Sequence, residues 1–147
     1  MEAANRPHNH PSGAVIYPPE GMRKTPKISE KFLWIVFIWS IIVGAVFGFM
    51  IVYYWPLDSK YVTYAGLGLV VAVIPAIPLS MAAQRAKVIN TIRRINKEEI
   101  PLAEIKKQIS WFWMYPYWVT VHTARAIKKG YLHEYKYLVN EQLLVRI

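Results

Sequence analysis

The chain has 147 residues, no cysteine, and a composition that is 54% hydrophobic and 14% aromatic. Eighteen Lys and Arg face nine Asp and Glu, giving a formal charge of +9. Such a balance excludes a disordered chain and a disulfide-stapled secreted scaffold, and the length allows one or two small units. A small membrane protein with a basic aqueous part is the expectation.

The first 31 residues hold five prolines and little apolar periodicity, so residues 1–31 read as an extended or disordered tail unless something holds them. His8 and His10 stand two apart with no further ligand nearby and fall short of a metal site. Pro18 and Pro19 favour polyproline geometry without the basic PxxP pattern of a docking ligand.

Residues 32–55 and 61–83 are both free of charge. At about 1.5 Å per helical residue, each reaches roughly 35 Å, enough for a hydrocarbon core of about 30 Å. Two buried core helices are the alternative, but so short a chain has little polar material to cover them. A signal peptide fits the first stretch poorly, because it starts late, is long and aromatic, and lacks a small-residue cleavage site. Residues 56–60 form the connection: Pro56 ends the first helix, and Asp58 or Ser59 caps the second.

The tail and the region after Ala83 carry nearly all the positive charge, while the connecting loop holds one Lys and one Asp. Positive charge stays on the cytoplasmic side, so both termini are expected inside. Tyr53, Tyr54, Trp55, Tyr61 and Tyr64 would form an outer aromatic belt, with Trp34 anchoring the inner side. Ser40, Gly44 and Gly48 recur every four residues in the first span, as do Gly68, Ala72, Ala76 and Ser80 in the second. Such stripes let helices approach closely, here within the hairpin first and against a foreign helix second. Pro75 and Pro78 should kink the second span. Neither span carries an ionisable Asp, Glu, Lys, Arg or His, which argues against transport by this chain alone.

Residues 84–147 hold twelve basic and five acidic residues, so +7 of the +9 lies here. Val88, Ile89, Ile92 and Ile95 mark the face of a helix continuing from the membrane, and Leu102, Ile105 and Ile109 mark a second after Pro101. The aromatic run WFWMYPYW (111–118) follows, with Pro116 opening a third helix that reaches Lys129 before Gly130 stops it. The period then becomes alternating. Tyr135, Tyr137 and Val139 share one face of a hairpin with Leu143, Val145 and Ile147, around a turn at Asn140-Glu141.

That order, with IPLAEI (100–105) as a short strand entering a helix and AIKKGYL (126–132) closing the third helix, resembles a winged helix. The fold class expected is therefore a mainly α membrane protein: a transmembrane helical hairpin plus a small α+β winged-helix-like domain over 84–147. The resemblance implies duplex DNA binding or protein docking through the third helix and the hairpin. By position, the exposed third-helix candidates are Tyr117, Thr120, Thr123 and Arg125. Arg85, Lys87, Arg93, Arg94, Lys106, Lys107, Arg125, Lys128, Lys129 and Lys136 are candidates for phosphate or lipid headgroups. The aromatic run departs from a DNA reader, whose corner there is small and polar. Trp111, Phe112, Trp113, Tyr115, Tyr117 and Trp118 are instead partner-docking candidates, or interfacial or core residues.

Without Cys, a glycine-rich phosphate loop or a His-Glu metalloprotease spacing, no catalytic, cofactor or metal residues are expected. His122 and His133 read as surface or half-buried side chains, with Glu134 on the opposite strand face from His133. The expected function is a non-enzymatic, membrane-anchored docking or scaffold protein. Its partners would be membrane lipid and either a soluble protein or a larger membrane complex in which it is an accessory subunit. A membrane-tethered regulator binding nucleic acid is the third possibility.

Overall fold

The computed structural model describes residues 13–56 and 59–147. His8, His10 and Asp58 lie outside the described residues. The chain is mainly helical, with a small antiparallel sheet and two helical stretches, Phe32–Tyr54 and Ser59–Ile95, long and apolar enough to cross a membrane. In chain order the elements are β1 (Val15–Ile16), α1 (Phe32–Tyr54), α2 (Ser59–Val73), α3 (Ala76–Ile95), β2 (Glu99–Pro101), α4 (Leu102–Gln108), α5 (Pro116–Lys128), β3 (Tyr135–Leu138) and β4 (Leu143–Arg146).

Helices α1 and α2 run as a hairpin. The second apolar stretch does not form one helix. Pro75 and Pro78 lack the N–H that helix continuation needs, so the hydrogen-bond ladder is interrupted at Ile74-Pro75 between α2 and α3 while the backbone at Pro75 stays helical. At this break the Trp39 indole Nε1 donates across the hairpin to the Ala72 carbonyl at 3.3 Å. The hydroxyls of Ser40 and Thr63 fold back onto Val36 and Ser59 carbonyls of their own helices, which satisfies them without a partner helix.

Beyond the apolar stretch, α3 continues into a second unit. Val88, Ile89 and Ile92 of α3 close a core with Leu102, Ile105, Val119, Ile127, Tyr135, Tyr137 and Leu144. Asn96 ends α3 in the left-handed conformation, which Asn tolerates. Pro116 opens α5, and Gly130 closes it with φ +77. Gly130 N donates to Ile127 O at 2.9 Å and Tyr131 N to Ala126 O at 2.9 Å, a Schellman closure.

The sheet order is β1-β3-β4-β2, all antiparallel. Two features differ from expectation. First, the turn between β3 and β4 occupies four residues, and Leu138 pairs with Leu143 while Tyr137 pairs with Leu144. Leu144 therefore points inward and Ile147 is 68% exposed, so the inner face is not Leu143, Val145 and Ile147. One residue of register decides which face is buried. Second, the tail is extended but held. Val15 and Ile16 add an edge strand to β3, and Lys24 N donates to Gly130 O at 3.0 Å.

Candidate functional site

The aromatic run is built on the loop between α4 and α5. Ser110 nucleates it: its carbonyl accepts from Trp113 N at 3.0 Å and its hydroxyl from Phe112 N at 3.4 Å. Tyr115 is extended before Pro116, as a residue preceding proline prefers. Only Met114 of the run is buried; the core aromatics are Tyr135 and Tyr137 instead.

The six docking candidates divide. Phe112 and Trp113 close on the base of α1. The Trp113 ring meets Trp34 edge-to-face at 4.6 Å and Phe37 at 6.0 Å, and Phe112 meets Phe37 at 5.3 Å. Trp111 (79% exposed), Tyr115 and Tyr117 point away from the protein. Trp118 leans over His122, with ring centroids 6.0 Å apart.

A polar bridge lies under this corner. Gln84 Nε2 donates to the Trp113 carbonyl at 3.3 Å, and Gln84 Oε1 faces His122 Nε2 at 3.2 Å. The imidazole proton therefore sits on Nε2, while Nδ1 is buried without a partner among the described residues. His122 is fully buried, which corrects its reading as a surface or half-buried group. Burial, reinforced by the Arg85 and then the Arg125 guanidinium, lowers its pKa to about 4, so the ring is neutral at pH 7. Thr123 is buried too, donating to the Val119 carbonyl at 2.8 Å, and is not an exposed third-helix contact. His133 is half-buried as expected, but it precedes the strand. In that turn its Nε2 lies 3.7 Å from Glu134 Oε1, so the two are not on opposite faces.

The ten basic candidates are distributed over α3, α4, α5, β3 and, for Lys129, the residue that caps α5. Arg85, Lys87, Lys106 and Lys136 are half-buried; Arg93, Arg94, Lys107, Arg125, Lys128 and Lys129 are exposed. Arg93 Nη2 donates to the Tyr131 carbonyl at 3.1 Å.

The small-residue stripes behave differently from each other. A Cβ on Gly68 would lie 2.5 Å from the Phe47 ring, so Gly68 is the close contact of the hairpin. Around Gly44 and Gly48 there is open space, and the stripe with Ser40 faces away from α2. The hairpin is thus packed by Phe47 against Gly68, with Val43 and Ala65 buried, and not by stripe against stripe.

Among the described residues, no group of three His, Asp or Glu side chains could hold a metal ion. Comparison with protein-family models, curated proteins and solved structures finds no match. Sequence reading missed Gln84, the bridge between Trp113 and His122; its signal was being the first strongly polar side chain after the charge-free stretch.

Proposed function

We propose that this protein is a non-enzymatic membrane-anchored docking module, with α1 and α2–α3 crossing the bilayer and both termini in the cytoplasm. Only 6% of the most apolar stretch of each is buried by the rest of the chain, whereas a soluble core helix would be covered. Positive charge flanks the termini's side of the hairpin. The order α3, β2, α4, α5, β3, β4, with β4 between β2 and β3, supports the winged-helix-like reading of residues 84–147.

The observation that carries the docking reading is the split of the aromatic run. Phe112 and Trp113 clamp the basic domain to the base of α1, leaving Trp111, Tyr115 and Tyr117 outward. Exposed aromatics on a rigid corner are the residues from which protein-binding hot spots are made. An exposed aromatic corner just before and at the start of α5, where a base reader carries small polar and basic residues, weighs against the nucleic-acid reading.

The test is mild-detergent purification of the full-length tagged protein from its host, as wild type and as Trp111→Ala/Tyr115→Ala/Tyr117→Ala. A soluble partner recovered with the first and lost from the second, with insertion unchanged, supports docking; full retention by the variant overturns it. The open space at Gly44 and Gly48 favours a second reading, an accessory subunit of a larger membrane complex. In that case, larger membrane polypeptides accompany the protein and Gly44→Leu/Gly48→Leu releases them.

A further inference from the structure

A recess of about 220 Å³ lies where the apolar part of α3 ends. Its walls come from three parts of the chain. The tail supplies Lys27 and Ile28, α3 supplies Ala82, Arg85 and Ala86, and the turn after α5 supplies Tyr131. The lining is therefore mostly apolar, with one cation from the tail and one from α3.

Arg85 is the first charge after the charge-free stretch that ends at Ala83, and Lys27 stands five residues before the stretch that begins at Phe32, with Glu30 and Lys31 between. Both line the same recess, and in a bilayer crossed by the two stretches that recess would lie near the phosphates. The Nε of Arg85 is sealed from solvent and has no acceptor among the described residues. That nitrogen is closed to a ligand in the recess, but the half-buried Arg85 side chain still lines it, and a guanidinium fork matches a phosphate. Neither Lys27 nor Arg85 forms an ion pair among the described residues, and Arg93, bound to the Tyr131 carbonyl, adds positive charge behind the wall.

We propose that this recess binds the phosphate headgroup of an anionic lipid of the inner leaflet, with its glycerol end against Ala82, Ala86 and Ile28. The inference rests on the reading that the two helical stretches span a membrane. Basic pockets beside membrane helices on the cytoplasmic side recognise such headgroups. A free phosphate shares the chemistry but gains nothing from the apolar wall. The site also gives the ordered tail a role, since residues 26–28 complete the recess instead of merely connecting β1 to α1.

The test is native mass spectrometry of the full chain in mild detergent with added dioleoylphosphatidylglycerol, dioleoylphosphatidylcholine or inorganic phosphate. One phosphatidylglycerol should be retained in preference to phosphatidylcholine. Retention should fall roughly fivefold in Lys27→Gln and in Arg85→Gln, but not in Lys97→Gln, which removes the same charge from the Lys97–Glu104 pair outside the recess. Arg85 acts electrostatically on buried His122, so Lys27→Gln, at an exposed side chain, decides if Arg85→Gln fails to fold. Equal retention of both lipids, an equal loss in Lys97→Gln, or displacement of phosphatidylglycerol by equimolar phosphate would overturn the proposal. Release of the chain from host membranes by alkaline carbonate would overturn the spanning reading itself, separately from any lipid result.

Discussion

The indoles of Trp34 and Trp113 meet edge-to-face with centroids 4.6 Å apart, and this contact fixes how the basic domain sits on the hairpin. Trp34 belongs to the first turn of α1, and Trp113 to the loop that launches α5. Phe37 and Phe112 extend the contact, while Gln84 holds the Trp113 carbonyl from α3. Three elements thus meet at one corner, and α5 is carried at a set angle rather than on a flexible leash.

Such an aromatic pair contributes about 0.5–1.5 kcal/mol beyond its buried area. Trp34→Ala and Trp113→Ala should therefore be non-additive by that amount in unfolding of the detergent-solubilised protein. Strictly additive losses would mean that the rings do not cooperate and that the domain is held elsewhere.

Gly130 answers two demands. Its φ of +77 disfavours any side chain, and a Cβ there would lie 2.7 Å from the Met22 backbone carbonyl. Gly130→Ala should cost about 1–2 kcal/mol from the left-handed backbone alone. It should also lift the tail, read as faster trypsin cleavage after Arg23 and Lys24. Unchanged cleavage would show that the tail does not depend on this crossing.

The helices were legible because each carries a period and a stop: Pro116 and Gly130 bracket α5, and Pro75 interrupts the second apolar stretch. The tail strand was not, since Val15 and Ile16 are only two apolar residues among prolines, and their pairing with Tyr137 and Leu138 is long-range. The hairpin register failed for a related reason. Leu143, Leu144 and Val145 are all apolar, so alternation does not say which faces inward, and the four-residue turn decides. At the corner, composition identified the aromatic run as special. Its division between α1 and solvent depended on Trp34 and Phe37, far away in sequence.

The two glycine stripes give opposite expectations. Gly68→Ile drives a side chain into the Phe47 ring and should separate α1 from α2 at a cost of about 1–3 kcal/mol, the usual range for overpacking. Gly44→Ile meets open space and should leave the isolated hairpin intact. Cross-linking between α1 and α2 reads the difference. Loss in Gly44→Ile as well would place a contact at that face.

With no native cysteine, topology has a clean reporter. Ser59→Cys lies at the start of α2 and Asn90→Cys on the exposed side of α3. In intact cells a membrane-impermeant maleimide should label the first alone, and the second only after permeabilisation. The reverse pattern would put both termini outside.

His122 makes stability depend on pH. Its folded pKa of about 4 lies below the ordinary 6.5, so between these values the unfolded chain binds a proton that the folded chain refuses. Stability contributed by the neutral ring is complete above pH 6.5, falls as pH drops through that window, and levels off below about 4. Between pH 7.5 and pH 5 the loss should be on the order of 2 kcal/mol, with a further part below pH 5. Protonation would also place a cation beside Arg85 and Arg125, so the strain falls on the corner where Gln84 bridges His122 to Trp113. Chemical unfolding at pH 7.5 and pH 5, above the range where carboxylates dominate, isolates this group. His122→Leu should be less stable than wild type at pH 7.5, because Gln84 loses its donor, yet nearly flat between the two pH values. A slope in His122→Leu equal to that of wild type would assign the pH dependence to other groups.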